Sequence, residues 1–252
     1  MMAQQMNVDN IANNLANVNT TGFKKAKIEF QDIMYQTLRK PGTLAAAGGA
    51  VTPTALDIGY GTKPVATTRQ YSVGELSQSG NPLDIAIDGD GFFQIQKPDG
   101  TLAYSRDGSF KVTADGRLAT SDGFLLTPEI TIPENASSIA IGFDGRVSAA
   151  IAGSNDPQDL GQIELARFIN PAGLSATGHN LYEETPASGT PLTGAPSEAG
   201  MGRINQGYLE MSNVDVVTEM VNMIVAQRAY EINSKAIQTA DDMSSLVNNL
   251  KR

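Results

Sequence analysis

The C-terminal segment carries one apolar stripe that is too long for the rest of the chain to cover. Between positions 214 and 250, apolar residues recur at steps of three or four, which is the spacing of one helical face. A helix over 213–250 would be about 57 Å long at 1.5 Å per residue. We therefore expect a partner outside the domain to bury this stripe. With the polar exception of Thr239, the stripe consists of Val214, Val217, Val221, Val225, Ala229, Ile232, Ala236, Met243, Leu246 and Leu250.

The start of this helix is predicted from a capping pattern. Ser212 is followed three residues later by Asp215, a variant of the capping box, and Met211 and Val216 stand where a hydrophobic staple would place them. The pattern predicts a helix that begins at about position 213.

The N-terminal segment carries two parallel stripes. Four apolar residues follow a heptad spacing, and four asparagines repeat that spacing one residue behind: Val8, Ile11, Leu15 and Val18, beside Asn7, Asn10, Asn14 and Asn17. The asparagines fit a solvated face, or a row of amides in a packed interface where each amide needs a partner and fixes the register. Both interpretations stay open. Gly22 is suited to the left-handed position that ends a helix.

The middle of the chain predicts antiparallel β structure. Asp-Gly pairs separate short apolar or alternating runs, and Asp-Gly is a strong hairpin signal because both residues tolerate positive φ. The pairs stand at 88–89, 90–91, 99–100, 107–108, 115–116, 122–123 and 144–145. We expect an antiparallel meander that forms a sandwich or a barrel.

These patterns together predict a mixed fold. An all-β central domain over 81–208 is inserted between N- and C-terminal helices that pair as a coiled-coil module. The helical module combines 1–38 with 209–252, and an extended or β segment over 39–80 connects it to the β domain. The helices can pair only if they meet at the base of the β domain.

The composition excludes several kinds of site. The chain of 252 residues has no cysteine and one histidine, so thiolate sites and disulfides are excluded. Its net charge of −9 disfavours nucleic-acid binding, and no apolar run is long enough to insert in a membrane. No catalytic motif is present, His179 fits a solvated loop, and Asp88 and Asp90 fit a turn better than a calcium site. We expect no enzyme activity, no metal and no cofactor.

Three blocks of sequence resemble the bacterial flagellar rod and hook family. The first is Ile11-Ala12-Asn13-Asn14-Leu15-Ala16-Asn17-Val18-Asn19-Thr20-Thr21-Gly22-Phe23-Lys24, which is similar to the N-terminal signature of the family. The second runs from Gly207 to Asp215 and continues through Gln227-Arg228-Ala229-Tyr230-Glu231. The third runs from Asn81 to Phe93. The resemblance covers essentially the whole chain.

Within the family, the chain length and the segment 39–64 resemble the distal-rod members. The residues that carry this rod-type segment are Leu38, Pro41, Gly42, Gly59 and Gly61, in a segment implicated in the stiffness of the rod. The resemblance also implies that family members begin about a dozen residues earlier, so that the first helix starts part-way along here.

The resemblance implies a homo-oligomeric helical tube that transmits torque and carries export cargo in its lumen. The terminal helices would line the tube, and the stripe residues would form the subunit interface together with Val8, Ile11, Asn14, Leu15, Asn17, Val18, Gly22 and Phe23. Implied partners are neighbouring rod and hook proteins and the flagellar ring proteins. The implied location is the periplasm-spanning rod of the basal body, reached by type III export without a cleaved signal peptide.

Two alternatives stay open at the level of sequence. The nearer one is another axial subunit of the flagellum, either a proximal rod protein or a hook protein. The more distant one is a secreted β-rich module that binds or hydrolyses a substrate such as peptidoglycan, which would need a carboxylate or metal site in a cleft.

Overall fold

The structure is a computed structural model that describes residues 1–41, 53–151 and 156–250, without the side chains of the last two. The helices are α1 (Met2–Ala16) and α2 (Val216–Leu250), with a short 3-10 helix at Pro171–Gly173. The strands are β1 (Ala26–Asp32), β2 (Tyr35–Arg39), β3 (Leu56–Gly59), β4 (Thr62–Arg69), β5 (Leu76–Gln78), β6 (Ile85–Asp88), β7 (Phe92–Gln96), β8 (Leu102–Ser105), β9 (Lys111–Val112), β10 (Leu118–Ala119), β11 (Leu125–Thr127), β12 (Ala136–Ile141), β13 (Arg146–Ile151), β14 (Gln158–Gln162), β15 (Leu165–Arg167), β16 (Ser175–Gly178), β17 (Leu181–Glu183), β18 (Leu192–Gly194), β19 (Arg203–Gln206) and β20 (Tyr208–Glu210).

The chain divides into two compact units. The terminal unit consists of Met1–Asn13, Ala26–Thr68 and Val217–Arg252, and the β unit consists of Asn14–Lys25 and Arg69–Val216. Both chain ends therefore contribute to the terminal unit, and the mixed architecture of helix, β region and helix is confirmed. Along the described residues, neither helix combines the length and the apolarity that a membrane crossing requires.

The β unit is built on antiparallel hairpins. One sheet has the order β16-β17-β8-β7-β11-β10-β9, while β15 pairs with both β7 and β18, and β12-β13-β14 form a separate three-stranded sheet. The glycines of four Asp-Gly pairs lie between paired strands with φ between +77° and +86°, namely Gly100, Gly116, Gly123 and Gly145. These turns are as predicted. The sheet is not a simple meander, because β7 pairs with β11 and β15 as well as with its sequence neighbour β8.

The core of the β unit lies against both sides of β7. Alternate residues of β7 point in opposite directions, so Phe93 and Ile95 enter the main cluster with Phe110, and Phe92 enters a smaller aromatic cluster with Tyr104. Phe93 and Phe110 meet edge to face, with their ring centroids 5.2 Å apart. Gly108 serves this packing rather than a hairpin, because a Cβ there would lie 1.6 Å from the carbonyl oxygen of Ile85.

The terminal unit contains a long two-stranded ribbon. β1 pairs with β4 and β2 pairs with β3, and the two ladders are joined by the hydrogen bonds Ile33 N to Gly61 O at 2.8 Å and Tyr60 N to Met34 O at 3.2 Å. The helical interpretation of residues 1–38 is therefore wrong beyond α1. Alternating apolar and polar residues from Ala26 to Gln31 favour a strand.

Both helices have different boundaries from those predicted. α1 ends at Ala16, where three-residue turns replace helical bonds, such as Asn17 N to Asn14 O at 3.1 Å. Asparagine-rich sequence favours this change because asparagine side chains compete with the helix for backbone groups. α2 begins at Val216, so Ser212 is not its N-cap; the Ser212 hydroxyl instead accepts the Val214 N–H at 3.3 Å.

Candidate assembly surfaces

One face of α2 packs within the terminal unit. Ala226 is buried, and Met223 on the same side is half-buried. Gln5 and Val8 of α1 line a small cavity together with Gln227, Tyr230 and Glu231 of α2. The two helices therefore lie side by side at this point.

The apolar stripe lies on the other side of α2. Ala226 follows Val217 by nine residues, which at about 100° per residue places them on opposite sides of the helix. The stripe residues Val217, Val221, Val225, Ile232, Met243 and Leu246 are between 53% and 69% exposed. Ala229 is half-buried and Ala236 is exposed, while the side chain of Leu250 lies outside the described residues. The single chain thus leaves most of the stripe uncovered.

The remaining residues of the predicted interface are less accessible. Ile11, Asn14, Gly22, Phe23 and Val214 are buried in the single chain, and Val8, Leu15, Asn17 and Val18 are half-buried. Asn10 donates its amide to Ala26 O at 2.8 Å. The bond of Asn10 and the burial of Asn14 favour packed amides over a solvated face. The structure therefore separates a covered N-terminal set from an open C-terminal stripe.

Two of the three family-like sequence blocks, the N-terminal one and the one that begins at Gly207, contact each other inside the β unit. Lys24 forms an ion pair with Glu210, and both side chains are fully buried. Arg106 lies 3.3 Å from the other oxygen of Glu210, and Gly74 N–H donates to Glu210 at 2.9 Å. Lys24 also donates to Ser72 O at 2.7 Å. We call residues 22–25, 70–75 and 210–214 the terminal junction.

The electrostatics of the terminal junction are set by burial. Desolvation lowers the pKa of Lys24, although the neighbouring Glu210 carboxylate acts in the opposite direction. Desolvation likewise lowers the pKa of Arg106, again opposed by Glu210. One carboxylate thus pairs with two buried cations, and its removal would take this partner from both, leaving Asp90 as the carboxylate that acts on Arg106.

Asn213 and Gly22 join the segments of the terminal junction through hydrogen bonds to backbone groups. Asn213 accepts the Lys25 N–H at 2.8 Å and donates to Gln70 O at 2.8 Å, so it joins three chain segments. Gly22 donates its N–H to Glu210 O at 2.8 Å. Gly22 has φ +66°, and a Cβ there would lie 2.6 Å from Asp107 N. Its left-handed conformation is as predicted, but it serves this close contact rather than the end of a helix.

The described residues of the rod-type segment belong to the part of the ribbon that contains β2, β3 and the start of β4. Leu38 lies in β2 and is 55% exposed, and Pro41 is also exposed. Gly59 ends β3 beside the ring of Tyr35, and Gly61 has φ +112° between β3 and β4. Gly42 lies outside the described residues. Much of the ribbon's apolar surface is open, including Met34 and Tyr60.

The polar clusters considered in the sequence are surface contacts. His179 lies 3.1 Å from Asp122, and both are exposed. Asp88 pairs with Arg203 at 2.8 Å. Within 1–41, 53–151 and 156–250, no three acidic or histidine side chains are grouped to hold a metal ion.

The residues that build the terminal junction were not predicted from the sequence. Lys24 and Glu210 belong to the two family-like blocks, yet their pairing was not predicted, and Arg106, Gly74 and Asn213 were not singled out. The available signal was that Lys24 is the one charged residue of the first block, and that Glu210 is one of two acidic residues between Gly207 and Asp215.

Comparison with family profiles matches three parts of the chain. Residues 1–24 match the profile described as "Flagella basal body rod protein". Residues 86–149 match "Flagellar hook protein FlgE/F/G D1 domain", and residues 205–250 match "Flagellar basal body rod FlgEFG protein C-terminal". The first match contains Lys24 and the third contains Glu210.

Sequence identity to individual relatives distinguishes between members of this family. The flagellar basal-body rod protein FlgG of Borreliella burgdorferi is 55% identical over 100% of this chain and 96% of the relative. FlgG of Buchnera aphidicola from Schizaphis graminum is 50% identical over 96% of this chain and 92% of the relative. The flagellar basal-body rod protein FlgF of Caulobacter vibrioides is only 31% identical over 96% of this chain and 91% of the relative. The chain therefore belongs to the flagellar basal-body rod protein family, as a structural subunit of the distal-rod FlgG type.

Proposed function

We propose that this chain assembles with further copies of itself into a stiff helical tube, the distal rod, which transmits torque and carries export cargo in its lumen. The open stripe of α2 carries this proposal. Its residues Val217, Val221 and Val225 are exposed and lie about 180°, 140° and 100° around the helix from the buried Ala226, so a second copy can cover these residues without displacing the packing of the single chain.

The burial of this stripe supplies a driving force for assembly. Fully burying a Val, Leu, Ile or Met side chain contributes about 1.5–3 kcal/mol. The most exposed stripe residues, Val217 and Ile232, each leave about two thirds of their surface open, at 69% and 66%. Their burial is one contribution to the free energy that must offset the ordering of the chain ends, which costs about 1–2 kcal/mol per residue for the backbone.

The ribbon of the terminal unit supplies a second candidate contact. Met34, Leu38 and Tyr60 are 77%, 55% and 61% exposed. Leu38 lies in β2, which pairs with β3, and the Tyr60 N–H donates to Met34 O at 3.2 Å. We propose that the ribbon packs on neighbouring subunits and restricts bending of the tube. The same residues on an unassembled chain would favour association, because large exposed apolar patches commonly mark interaction surfaces.

The role proposed here is architectural and non-catalytic. Neighbouring rod and hook proteins would contact the two ends of the tube, and ring proteins its outer surface. The rod would span the periplasm after export of its subunits without cleavage of a signal peptide. Measurable lytic activity on peptidoglycan would favour the rival class of β-rich hydrolase.

Assembly of the purified full chain tests the proposal. The chain is concentrated, and its products are separated by sedimentation and imaged by electron microscopy, while circular dichroism follows helix content. We expect straight tubes and a higher helix content in the polymer than in the monomer. Curved, flexible tubes would support a hook protein, and a chain that stays monomeric at high concentration would contradict the proposal.

A further inference from the structure

Every sulfur atom in this chain belongs to a methionine thioether. The sequence has nine methionines and no cysteine, so no thiolate competes with the thioethers for an oxidant. All nine methionines lie among the described residues. Peroxides convert a methionine thioether to a sulfoxide, and susceptibility follows the exposure of the sulfur. The positions of the methionines in the fold therefore indicate where this chain is open to oxidation.

The exposed methionines all belong to the terminal unit. The β unit contains Met201, which is 8% exposed within the main core cluster, and Met211, which is half-buried. In the terminal unit, Met223 is half-buried and the other six are exposed. We therefore expect a peroxide to modify the terminal unit and to spare the core of the β unit. The six exposed methionines are Met1, Met2, Met6, Met34, Met220 and Met243.

Three of the exposed methionines lie on the surfaces proposed for assembly. Met243 belongs to the apolar stripe of α2 and is 64% exposed. Met220 is 52% exposed and follows the stripe residue Val217 by three positions, so the two are neighbours on the surface of α2. Met34, at 77%, lies in the ribbon between β1 and β2. Each of these thioethers would pass from water into an apolar contact when the chain assembles.

Oxidation by hydrogen peroxide would change the polarity of these three side chains. A lone pair of the sulfur attacks one peroxide oxygen, so that an S–O bond forms while the O–O bond breaks. The second oxygen leaves as water after proton transfer; the sulfur loses two electrons and the peroxide gains them. The sulfoxide oxygen accepts hydrogen bonds from water on the single chain, whereas an apolar contact offers it no donor. Oxidation therefore disfavours assembly without requiring any change in the monomer.

We propose that Met34, Met220 and Met243 are oxidation sites, and that conversion of their thioethers to sulfoxides by a peroxide holds the chain in its unassembled state. The inference rests on the proposed function, because it takes the stripe and the ribbon as surfaces that assembly covers. Methionine sulfoxide reductases reverse the modification, so the block is a reversible one. Assembly in turn protects the three sulfurs, which makes the unassembled subunit the form that is oxidised.

The first measurement maps oxidation on the unassembled full chain. The chain is treated with hydrogen peroxide, and mass spectrometry of its peptides gives the oxidation rate of each methionine. We expect Met34, Met220 and Met243 to react at least about tenfold faster than Met201. In denaturant, which removes the difference in access, the rates should agree within about twofold. Equal rates at Met201 and the three sites in the folded monomer would overturn the selectivity.

The second measurement tests the effect on assembly. We expect peroxide treatment to raise the critical concentration for polymerisation at least about tenfold, and treatment with the reductases to restore it. Urea unfolding of the treated monomer should match that of the untreated one, which separates a blocked surface from an unfolded chain. An unchanged critical concentration after oxidation of the three sites would overturn the proposal.

A triple variant assigns the effect to these residues. Met34→Leu, Met220→Leu and Met243→Leu together nearly conserve side-chain volume and remove the oxidisable sulfurs. We expect this variant to polymerise within about twofold of the wild type and to keep that behaviour after peroxide. The matched control is Met2→Leu with Met6→Leu, which removes two exposed thioethers of α1 and should stay sensitive. A triple variant that peroxide still blocks would overturn the assignment.

The outcomes distinguish this inference from the proposed function. Tubes that form equally well from oxidised and untreated chains would overturn the inference and leave the proposed function intact. An untreated chain that stays monomeric would contradict the proposed function and the effect on assembly together. In that case the oxidation rates in the monomer would still decide whether the three methionines are selective sites for peroxide.

Discussion

Lys24 and Glu210 form a fully buried ion pair although they are 186 positions apart in the sequence. This pair joins the segment after α1 to the segment before α2, inside the β unit. The contact explains why the two family-like blocks, at opposite ends of the chain, belong to one structural element.

Glu210→Gln is predicted to destabilise the β unit by about 3–5 kcal/mol, because it removes the carboxylate that pairs with the buried Lys24 and Arg106. The free energy of unfolding in urea measures the effect. Glu75→Gln is the matched control, since Glu75 lies in the same terminal junction but is exposed. Equal stability of the two variants would contradict the structural role of the ion pair.

Gly22→Ala is predicted to lower the free energy of unfolding by about 1–3 kcal/mol more than Gly100→Ala does. Both glycines have positive φ, at +66° and +83°, so both alanines suffer the same kind of backbone strain. Only at Gly22 would the new Cβ meet another backbone, since nothing lies within 4 Å of a Cβ at Gly100. Thermal unfolding of the two variants gives the difference, and equal losses would show that the close contact at Gly22 is unimportant.

Stability is predicted to fall as the pH rises above 10. Burial raises the pKa of Tyr71, Tyr104 and Tyr182 from the ordinary value of 10.0, so the unfolded chain loses these protons first. A group with a raised pKa stabilises the fold below its unfolded value and loses that contribution as the pH rises. Lys24 acts in the opposite sense, because its lowered pKa favours the fold as the pH rises towards 10.5.

Tyr71→Phe isolates one part of this pH dependence. Above pH 10.0, the variant is predicted to lose stability less steeply than the wild type, by up to about 1.4 kcal/mol per pH unit. Urea unfolding at several alkaline pH values measures the slope, and tyrosine absorbance reports the ionisation. Identical slopes would mean that the Tyr71 hydroxyl ionises as easily in the fold as in the unfolded chain.

The sequence predicted the periodic parts of the fold better than its junctions. The helix of the C-terminal stripe and four of the seven Asp-Gly turns depend on local spacing, and they occur where they were predicted. The terminal junction depends on contacts between distant segments, such as Asn213 with Gln70, which no local pattern specifies. The ribbon was partly missed because the alternation from Ala26 to Gln31 is short and follows a strongly helical segment.

The candidate interface was likewise predicted only in part from local spacing. The spacing of the α2 residues identified an apolar face, but it could not tell which face the chain itself covers. In the structure, Ala226 lies on the covered side and Val225 on the open side. For the N-terminal helix, burial of Ile11 and Asn14 depends on residues far away in the sequence, so periodicity alone could not reveal it.

Ile232→Asp is predicted to block polymerisation while leaving the monomeric β unit folded. Ile232 is 66% exposed in the single chain, so an aspartate there is solvated in the monomer but would lose its water in an apolar interface. Asn233→Asp introduces the same charge at the next exposed position, off the stripe, and should polymerise at nearly the wild-type concentration. Sedimentation after concentration measures both. Normal tubes from Ile232→Asp would remove this residue from the interface.

The most direct test of the central claim is the accessibility of the stripe before and after assembly. The chain has no cysteine, so Val225→Cys provides a single thiol at a position that is 63% exposed in the single chain. We measure the rate of its reaction with a maleimide in the monomer, in the polymer and in denaturant. Rapid reaction in the monomer and strong protection in the polymer are predicted. A thiol that reacts equally fast in polymer and monomer would show that the stripe of α2 is not the surface through which the subunits assemble.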